Sequence, residues 1–254
     1  MNKMAKDQVG AAWQDHLGEQ GYPAARDLHF LGRFRASAYI QLVMGYAQLP
    51  AGSLVLEPGC GSGKFSLALA SLGHRVVTLD YVASVLREVW ASSQAIAGQW
   101  GAGPAGYCLG SLERLPFADN SFDLTLNEGV VEHWLDDGPR RHVFAEMVRV
   151  TRPGGVVAIF VPNGVHPLLA QWDDHFYRHA PPMTYFSSGR LASEMAQIGL
   201  RDIQTDGIYP WRSWTRLAPW SRFYRFAALL DHVGWLPRPV RQKWAINLLA
   251  LGRK

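Results

Sequence analysis

The sequence lacks most features that mark extracellular, metal-binding or membrane proteins. It has two cysteines, Cys60 and Cys108, and they do not form a CxxC pair, which excludes a disulfide scaffold or a zinc ribbon. No apolar run approaches the roughly 18 residues of a membrane span, and residues 1–20 mix charges with few apolar residues, unlike a signal peptide. A net charge of +4 is too small to indicate nucleic-acid binding by itself. We therefore expect a cytoplasmic protein in a reducing compartment.

The chain does have the residues for an ordinary α/β core. Its 254 residues are 48% hydrophobic, and strand patterns alternate with helical patterns, which predicts a parallel sheet covered on both faces. The predicted strands are 53–57, 75–80, 105–109, 122–127, 155–161, 201–209 and 244–251. The predicted helices are 27–48, 64–73, 82–98, 139–150, 188–198 and 219–233.

The most informative segment is a glycine-rich turn after the first predicted strand. An apolar run ends in Glu57, the turn contains Gly59, Gly61 and Gly63, and a helical pattern follows over 65–72. A strand, a tight loop and a helix in this order let the backbone approach a nucleotide-like ligand closely. The alternative is a turn that only joins a buried strand to a helix in another α/β protein.

A second acid and the glycine spacing narrow the ligand class. Asp80 ends the second predicted strand, where a carboxylate can hold ribose hydroxyls. A nicotinamide dinucleotide site needs Gly-x-Gly-x-x-Gly, and its last glycine falls on Lys64 or Ser66 in the two registers. Glu57 would also repel a pyrophosphate but suits a ligand with an amino group.

These residues resemble motif I and the ribose-binding acid of class I S-adenosylmethionine-dependent methyltransferases, whose pattern is an apolar run, Asp or Glu, x, Gly-x-Gly-x-Gly. The resemblance covers residues 50–162 well and the rest loosely. The chain most resembles family members that methylate small molecules, including those of quinone biosynthesis. It extends over four further segments: 109–117, 119–123, 127–134 and 146–155.

The resemblance implies a Rossmann-like, doubly wound, mostly parallel seven-stranded sheet with helical and aromatic cap insertions. It implies S-adenosylmethionine (SAM) as the methyl donor. We predict one domain over 1–254, with an N-terminal helical cap (1–50), a donor-binding core (51–162) and a C-terminal half (163–254) that holds the substrate-cap insertions.

The resemblance also implies donor-binding roles for particular residues. Glu57 would orient the methionine amino group, Asp80 would bind the ribose, Tyr81 would stack on adenine, and the Leu112 backbone would bond the adenine edge. Arg35 would meet the methionine carboxylate, unless it is an ordinary surface arginine. The full predicted set is Arg35, Glu57, Gly59, Cys60, Gly61, Gly63, Asp80, Tyr81, Ser111, Leu112 and Asn127.

Two departures from the family pattern matter. Ser111 stands where the family often has an acid that accepts from the adenine amino group, and a serine can accept only a weaker hydrogen bond. Some relatives bind a divalent metal through Glu-x-x-Glu-His, but here Gly129 replaces the first glutamate and Glu128 is one residue off. We therefore expect no metal.

The chemistry needs a proton acceptor if the nucleophile is a hydroxyl or amine. His133 follows the fourth predicted strand, at the end where ligands bind, and is the candidate base; a packing histidine is the alternative.

Two long connections, 163–186 and 210–242, are rich in aromatics and predict an apolar acceptor cavity. The alternative is that these aromatics simply cover one hydrophobic core.

We expect a small-molecule substrate and no nucleic acid, because no Asp/Asn-Pro-Pro-Tyr motif follows the fourth strand. An RNA or other nucleic-acid methyltransferase and a non-catalytic donor-binding regulatory module remain open.

Overall fold

The computed structural model describes residues 28–100, 103–168, 181–210 and 236–254. Its seven strands form one sheet in the order β3-β2-β1-β4-β5-β7-β6. The first five pair in parallel, and β7 is antiparallel to both of its neighbours, so the predicted mostly parallel seven-stranded sheet is confirmed. The strands are β1 Leu54–Pro58, β2 Arg75–Asp80, β3 Gly106–Leu109, β4 Phe122–Glu128, β5 Thr151–Pro162, β6 Arg201–Ile208 and β7 Asn247–Arg253.

Helices cover both faces of this sheet. Those described are α1 Leu28–Arg35, α2 Ala38–Ala47, α3 Lys64–Ser71, α4 Ala83–Trp100, α5 Asp137–Val150, α6 Ser188–Gln197 and α7 Arg238–Trp244. Leu124 and Leu126 of β4 share one apolar core with α2 and α3, whereas β5 residues Val157 and Ile159 share the other with α5 and α6. Successive side chains of a strand point to opposite faces, so a sheet buried on both sides supports a core on each face.

The strand order places a topological switch point at β1. From β1 the chain winds outward through β2 and β3, and it then returns to the other side of β1 with β4 and β5. The register pairs Pro58 with Leu79, so the carboxyl ends of β1 and β2 lie at the same level. The crevice outside these carboxyl ends is where open α/β sheets bind ligands, and we call it the carboxyl edge.

A buried arginine joins α5 to α6. Arg140 is fully buried, and its Nε and Nη2 donate to the two carboxylate oxygens of Glu194, both at 2.9 Å. Its Nη1 donates to the Trp134 carbonyl at 2.8 Å, and its guanidinium lies over the Phe186 ring. All these contacts hold the connection after β4 against α6.

Three of the predicted elements are wrong in their bounds. The strand predicted over 155–161 is longer and runs over Thr151–Pro162. The single helix over 27–48 is two helices, because Ser37 adopts an extended backbone with φ −76° and ψ 161°. The strand predicted over 244–251 begins only at Asn247, since a proline in the first turn starts α7, which runs to Trp244. The predicted helix over 219–233 lies outside the described residues.

Within the described ranges, no helix is both long and apolar enough to cross a membrane.

Candidate functional site

The glycine-rich turn forms a tight loop at the carboxyl edge. The backbone N–H groups of Gly59 and Cys60 both donate to the Leu79 carbonyl, at 2.8 and 3.0 Å, which clamps the loop to the end of β2. Gly63 precedes α3 with φ +67°, and a Cβ there would lie 2.5 Å from Val89 Cγ1 on α4. Only glycine fits that position, so the loop packs closely between the sheet and α4.

Asp80 organises the same loop from the end of β2. Its Oδ2 accepts from the Gly61 N–H at 3.1 Å and lies 3.8 Å from the Cys60 thiol, and its Oδ1 accepts from the Val82 N–H at 2.9 Å. Burial raises the pKa of Asp80, and burial also raises that of Cys60, next to two carboxylates. The structure thus brings the predicted glycine loop, Cys60 and the predicted ribose acid together.

Glu57 is buried beneath the loop and caps α3. Its Oε2 accepts from the Ser66 N–H at 2.8 Å and from the Ser66 hydroxyl, which in turn accepts from Thr78 at 2.9 Å. Burial raises the pKa of Glu57 to about 8, against the smaller opposing effects of the Ser66 hydrogen bonds and Lys64. One oxygen of this acid therefore has a partner inside the protein, which the sequence pattern alone did not indicate.

The residues predicted to contact adenine lie at the ends of β2 and β3 and in the loop that follows β3. Tyr81 and Leu109 are 47% and 62% exposed at the ends of β2 and β3. The Ser111 hydroxyl accepts from the Glu113 N–H at 3.3 Å, and the Leu112 side chain is buried in the core. Two large exposed apolar side chains on adjacent strand ends form a surface that a flat ring could cover.

Two of the predicted donor-binding residues, Asn127 and Arg35, have surroundings that differ from those of Asp80 and Glu57. Asn127 is fully buried, and its Nδ2 donates to the Met147 sulfur of α5 at 3.4 Å. Its Oδ1 has no hydrogen-bond partner among the described residues. Arg35 is exposed in the last turn of α1. Among the described residues, neither side chain has a hydrogen bond to the glycine loop, and both assignments stay predictions.

His133 belongs to a short 3₁₀ turn, Val131–His133, that follows β4. Its Nδ1 lies 3.2 Å from the Pro182 carbonyl, which fixes Nδ1 as the protonated nitrogen of the neutral ring. Burial lowers the pKa of His133, so the neutral form dominates at neutral pH. A neutral histidine with a fixed tautomer has the state that a general base requires.

The comparisons with known proteins agree with this geometry. The family model described as a methyltransferase domain matches residues 56–159, which span the glycine loop, Asp80 and all of β4. Residues 56–159 therefore match a methyltransferase domain. The resemblance to SAM-dependent methyltransferases is therefore confirmed, and SAM is the methyl donor of that family.

Two curated relatives show how far the likeness of this methyltransferase domain extends. The malonyl-[acyl-carrier protein] O-methyltransferase of Yersinia pestis is 37% identical over 106 residues, 42% of this chain and 35% of the relative. The demethylmenaquinone methyltransferase of Renibacterium salmoninarum is 28% identical over 232 residues, 90% of this chain and 84% of the relative. The chain spans about half or less of the length of the first curated relatives it matches.

Solved structures share the methyltransferase fold over nearly the whole chain. A chain of the complex between the Haloferax volcanii Trm112 methyltransferase activator and a methyltransferase has a TM-score of 0.62 at 20% identity, with 94% and 96% of the two chains covered. A possible histamine N-methyltransferase from Thermotoga maritima has a TM-score of 0.60 at 13% identity, with 97% and 99% covered. At these identities the likeness shows the fold alone.

The sequence patterns missed one charged pair at the carboxyl edge. Lys64, the first residue of α3, forms an ion pair with Glu128 at the end of β4. Its ammonium lies over three aromatic rings, at 5.4 Å from Phe34, 5.7 Å from Tyr39 and 5.8 Å from Phe65. The available signal was a lysine directly after the last glycine of the loop. In the described part of the chain, no three His, Cys, Asp or Glu side chains are grouped to hold a metal ion.

Proposed function

We propose that this chain transfers the methyl group of SAM to a small acceptor with an apolar or aromatic part. The observation that carries the proposal is the glycine loop bound to Asp80 through the Gly61 N–H, at the carboxyl edge beside the switch point. The residues there fit SAM, since backbone with little side-chain cover lies next to a ribose-binding acid and an exposed apolar surface at Tyr81 and Leu109.

SAM supplies a methyl group already activated on a sulfonium, and its departure leaves a neutral thioether. The protein therefore needs no covalent catalysis, and its tasks are to align donor and acceptor and to exclude water. We assign Asp80 to the ribose hydroxyls and Tyr81 to the adenine face. The Ser111 hydroxyl and the Leu112 backbone would bond the adenine edge.

The methionine part would lie on the glycine loop, toward β4. Glu57 would orient the amino group with the oxygen that does not bind Ser66. We assign Asn127 and Arg35 to the methionine part as well, Asn127 through its Oδ1, which has no hydrogen-bond partner among the described residues.

His133 is our candidate base for an acceptor hydroxyl or amine. The Pro182 carbonyl holds the protonated Nδ1, so Nε2 is the nitrogen that would take the proton. His133 lies on the connection after β4, and in our proposal the acceptor enters at this side of the sheet.

The acceptor class rests on aromatic content and on relatives. Acceptors named for two relatives are demethylmenaquinone and a malonyl group on an acyl carrier protein.

Of the aromatic residues in the connections 163–186 and 210–242, Trp172, Tyr177 and Trp211 lie outside the described residues. Phe186 is buried in the core, next to the Arg140 guanidinium, so for that residue the alternative holds that the aromatic ring only covers the hydrophobic core.

We expect saturable binding of SAM and of its product S-adenosylhomocysteine (SAH). Calorimetry should give a dissociation constant on the order of micromolar, or about −8 kcal/mol. NAD is the matched negative control, because a carboxylate beside the loop opposes a pyrophosphate. Binding of NAD without SAM would overturn the proposed function.

Asp80→Ala should weaken SAM binding by roughly 1.5–3 kcal/mol, because two ribose hydrogen bonds to a carboxylate are lost. This corresponds to about tenfold to 150-fold in the dissociation constant. Asp123→Ala is the matched control: Asp123 also accepts a backbone N–H, from Leu54 at 2.6 Å, but at the opposite end of β1. Equal affinities for wild type and Asp80→Ala would show that the ribose lies elsewhere.

The acceptor is tested with radiolabelled methyl SAM and separated cell fractions. Label should enter a lipid-soluble or aromatic small-molecule fraction. Label in RNA or DNA would overturn the small-acceptor assignment. Donor binding without label in any fraction would favour a non-catalytic donor-binding module.

A further inference from the structure

The carboxyl group of Glu132 is buried, and none of the described cations is bonded to it. The residue is 1% exposed, and its Oε2 has no hydrogen-bond partner among the residues that the structure describes. Its Oε1 lies 3.8 Å from the position that a Cβ on Gly129 would take. Buried carboxylates are normally paired with a cation, and no described cation bonds this one.

The charged groups around Glu132 do not supply that partner. Glu128, on β4, raises the pKa of Glu132 by repulsion, and its cation, Lys64 of α3, is already bound to it. His133, on the same turn, is directed to the Pro182 carbonyl. From α5, Arg140 is bonded to Glu194 and to Asp137.

The protonation state follows from this environment. Burial raises the pKa of Glu132 to about 8, Glu128 adds to the rise, and two backbone N–H groups oppose it weakly. At pH 7 the side chain is therefore mostly neutral. A neutral carboxyl group costs far less to bury than a charged one.

The position of Glu132 is next to the glycine loop. Val130, two residues before it, packs directly on the loop, since a Cβ on Gly59 would lie 2.8 Å from Val130 Cγ2. Glu128 and Gly129 join this turn to the carboxyl end of β4. The turn that carries Glu132 therefore borders the loop on which a positively charged ligand would lie, and no cation of the described residues is bonded to its carboxyl group.

We propose that Glu132 is the counter-ion of the donor sulfonium: it is protonated in the empty protein, loses its proton to solvent when SAM binds, and is protonated again when neutral SAH occupies the site. The inference rests on the proposed function, because it needs SAM on the glycine loop. It assigns to Glu132 the discrimination between the charged donor and the uncharged product.

The test is calorimetry of SAM and SAH binding at pH 7 in two buffers with different ionisation enthalpies, which counts the protons released. Glu132→Gln has the shape of the neutral acid and should fold. It also provides the baseline for protons moved by other groups, including the donor's own amino group. A group with a pKa of about 8 is roughly 0.9 protonated at pH 7. Wild type should therefore release about 0.9 more protons than Glu132→Gln on binding SAM, and no more on binding SAH.

The same proton linkage predicts a pH dependence of ligand preference. Because the proton must leave, the ratio of SAM affinity to SAH affinity should rise by up to about tenfold per pH unit from pH 6 to 8 and then level off. The dependence should be lost in Glu132→Gln. Glu146→Gln is the matched control, since Glu146 is held ionised by Arg149 on the outer side of α5 and should behave like wild type.

Two outcomes overturn the proposal and remain distinguishable. Absence of SAM binding would remove the proposed function and this inference together. SAM binding with the same proton release in wild type and Glu132→Gln would leave the proposed function standing and remove only the inference. If the glutamine variant does not fold, a flat SAM-to-SAH affinity ratio in wild type between pH 6 and 8 would overturn the inference by itself.

Discussion

We expect Gly61→Val to abolish SAM binding, with a loss of at least about 100-fold in affinity, or roughly 2.8 kcal/mol. Gly61 has φ +50°, a left-handed conformation that a β-branched residue almost never adopts. Valine would force the backbone to move and would break the Gly61 N–H bond to Asp80. Its side chain would also occupy the space that the proposed donor needs. Calorimetry with SAM measures the loss.

Gly73→Val separates backbone strain from ligand contact. Gly73 has φ +88° with open space around it, and it precedes β2 at the amino end, away from the carboxyl edge. Valine there should cost about 1–2 kcal/mol of stability and leave SAM affinity unchanged. If both variants bind SAM as wild type does, the loop is only a connector between β1 and α3.

Arg140→Ala should lower the free energy of unfolding by about 3–5 kcal/mol, because it leaves a buried carboxylate short of its main partner. Arg140 is fully buried and contributes two of the hydrogen bonds to Glu194. Lysine should not replace it, since a single ammonium cannot reproduce the two-pronged bond. Urea unfolding followed by tryptophan fluorescence measures the change.

Arg190→Ala is the matched control for this prediction. Arg190 also bonds Glu194, at 3.0 Å, and also lies over Phe186, but its side chain is 39% exposed. Its removal should cost no more than about 1 kcal/mol. Equal losses for the two variants would mean that burial of Arg140 does not set the stability of the α5–α6 contact.

The glycine loop and Asp80 could be predicted because their requirements are local. Positive φ at Gly59, Gly61 and Gly63 and an acid at a strand end leave a fixed spacing in the chain, whatever the rest of the protein does. The alternation of strands and helices predicted the sheet for the same reason. The break between α1 and α2 was missed, since it depends on the backbone of a single residue, Ser37.

Contacts between distant residues could not be predicted in this way. The hydrogen bond of Glu57 to Ser66 and the ion pair of Lys64 with Glu128 need the relative placement of β1, α3 and β4. The burial of Glu132 depends on packing from several elements. The motif at 129–133 indicated only whether a metal-binding pattern was complete, not what its remaining acid would do.

The place of β7 between β5 and β6 has a consequence for biosynthesis. β6 is synthesised before β7, yet among the described strands β7 is the only one that pairs with it. β7 also carries Asn247, whose side chain donates to the Tyr39 hydroxyl at 2.6 Å, a contact across 208 residues. A nascent chain on the ribosome therefore holds β6 as an unpaired strand, and Tyr39 without its Asn247 hydrogen bond, until β7 emerges. Slow translation between β6 and β7 would lengthen the time in which that strand can aggregate or recruit a chaperone.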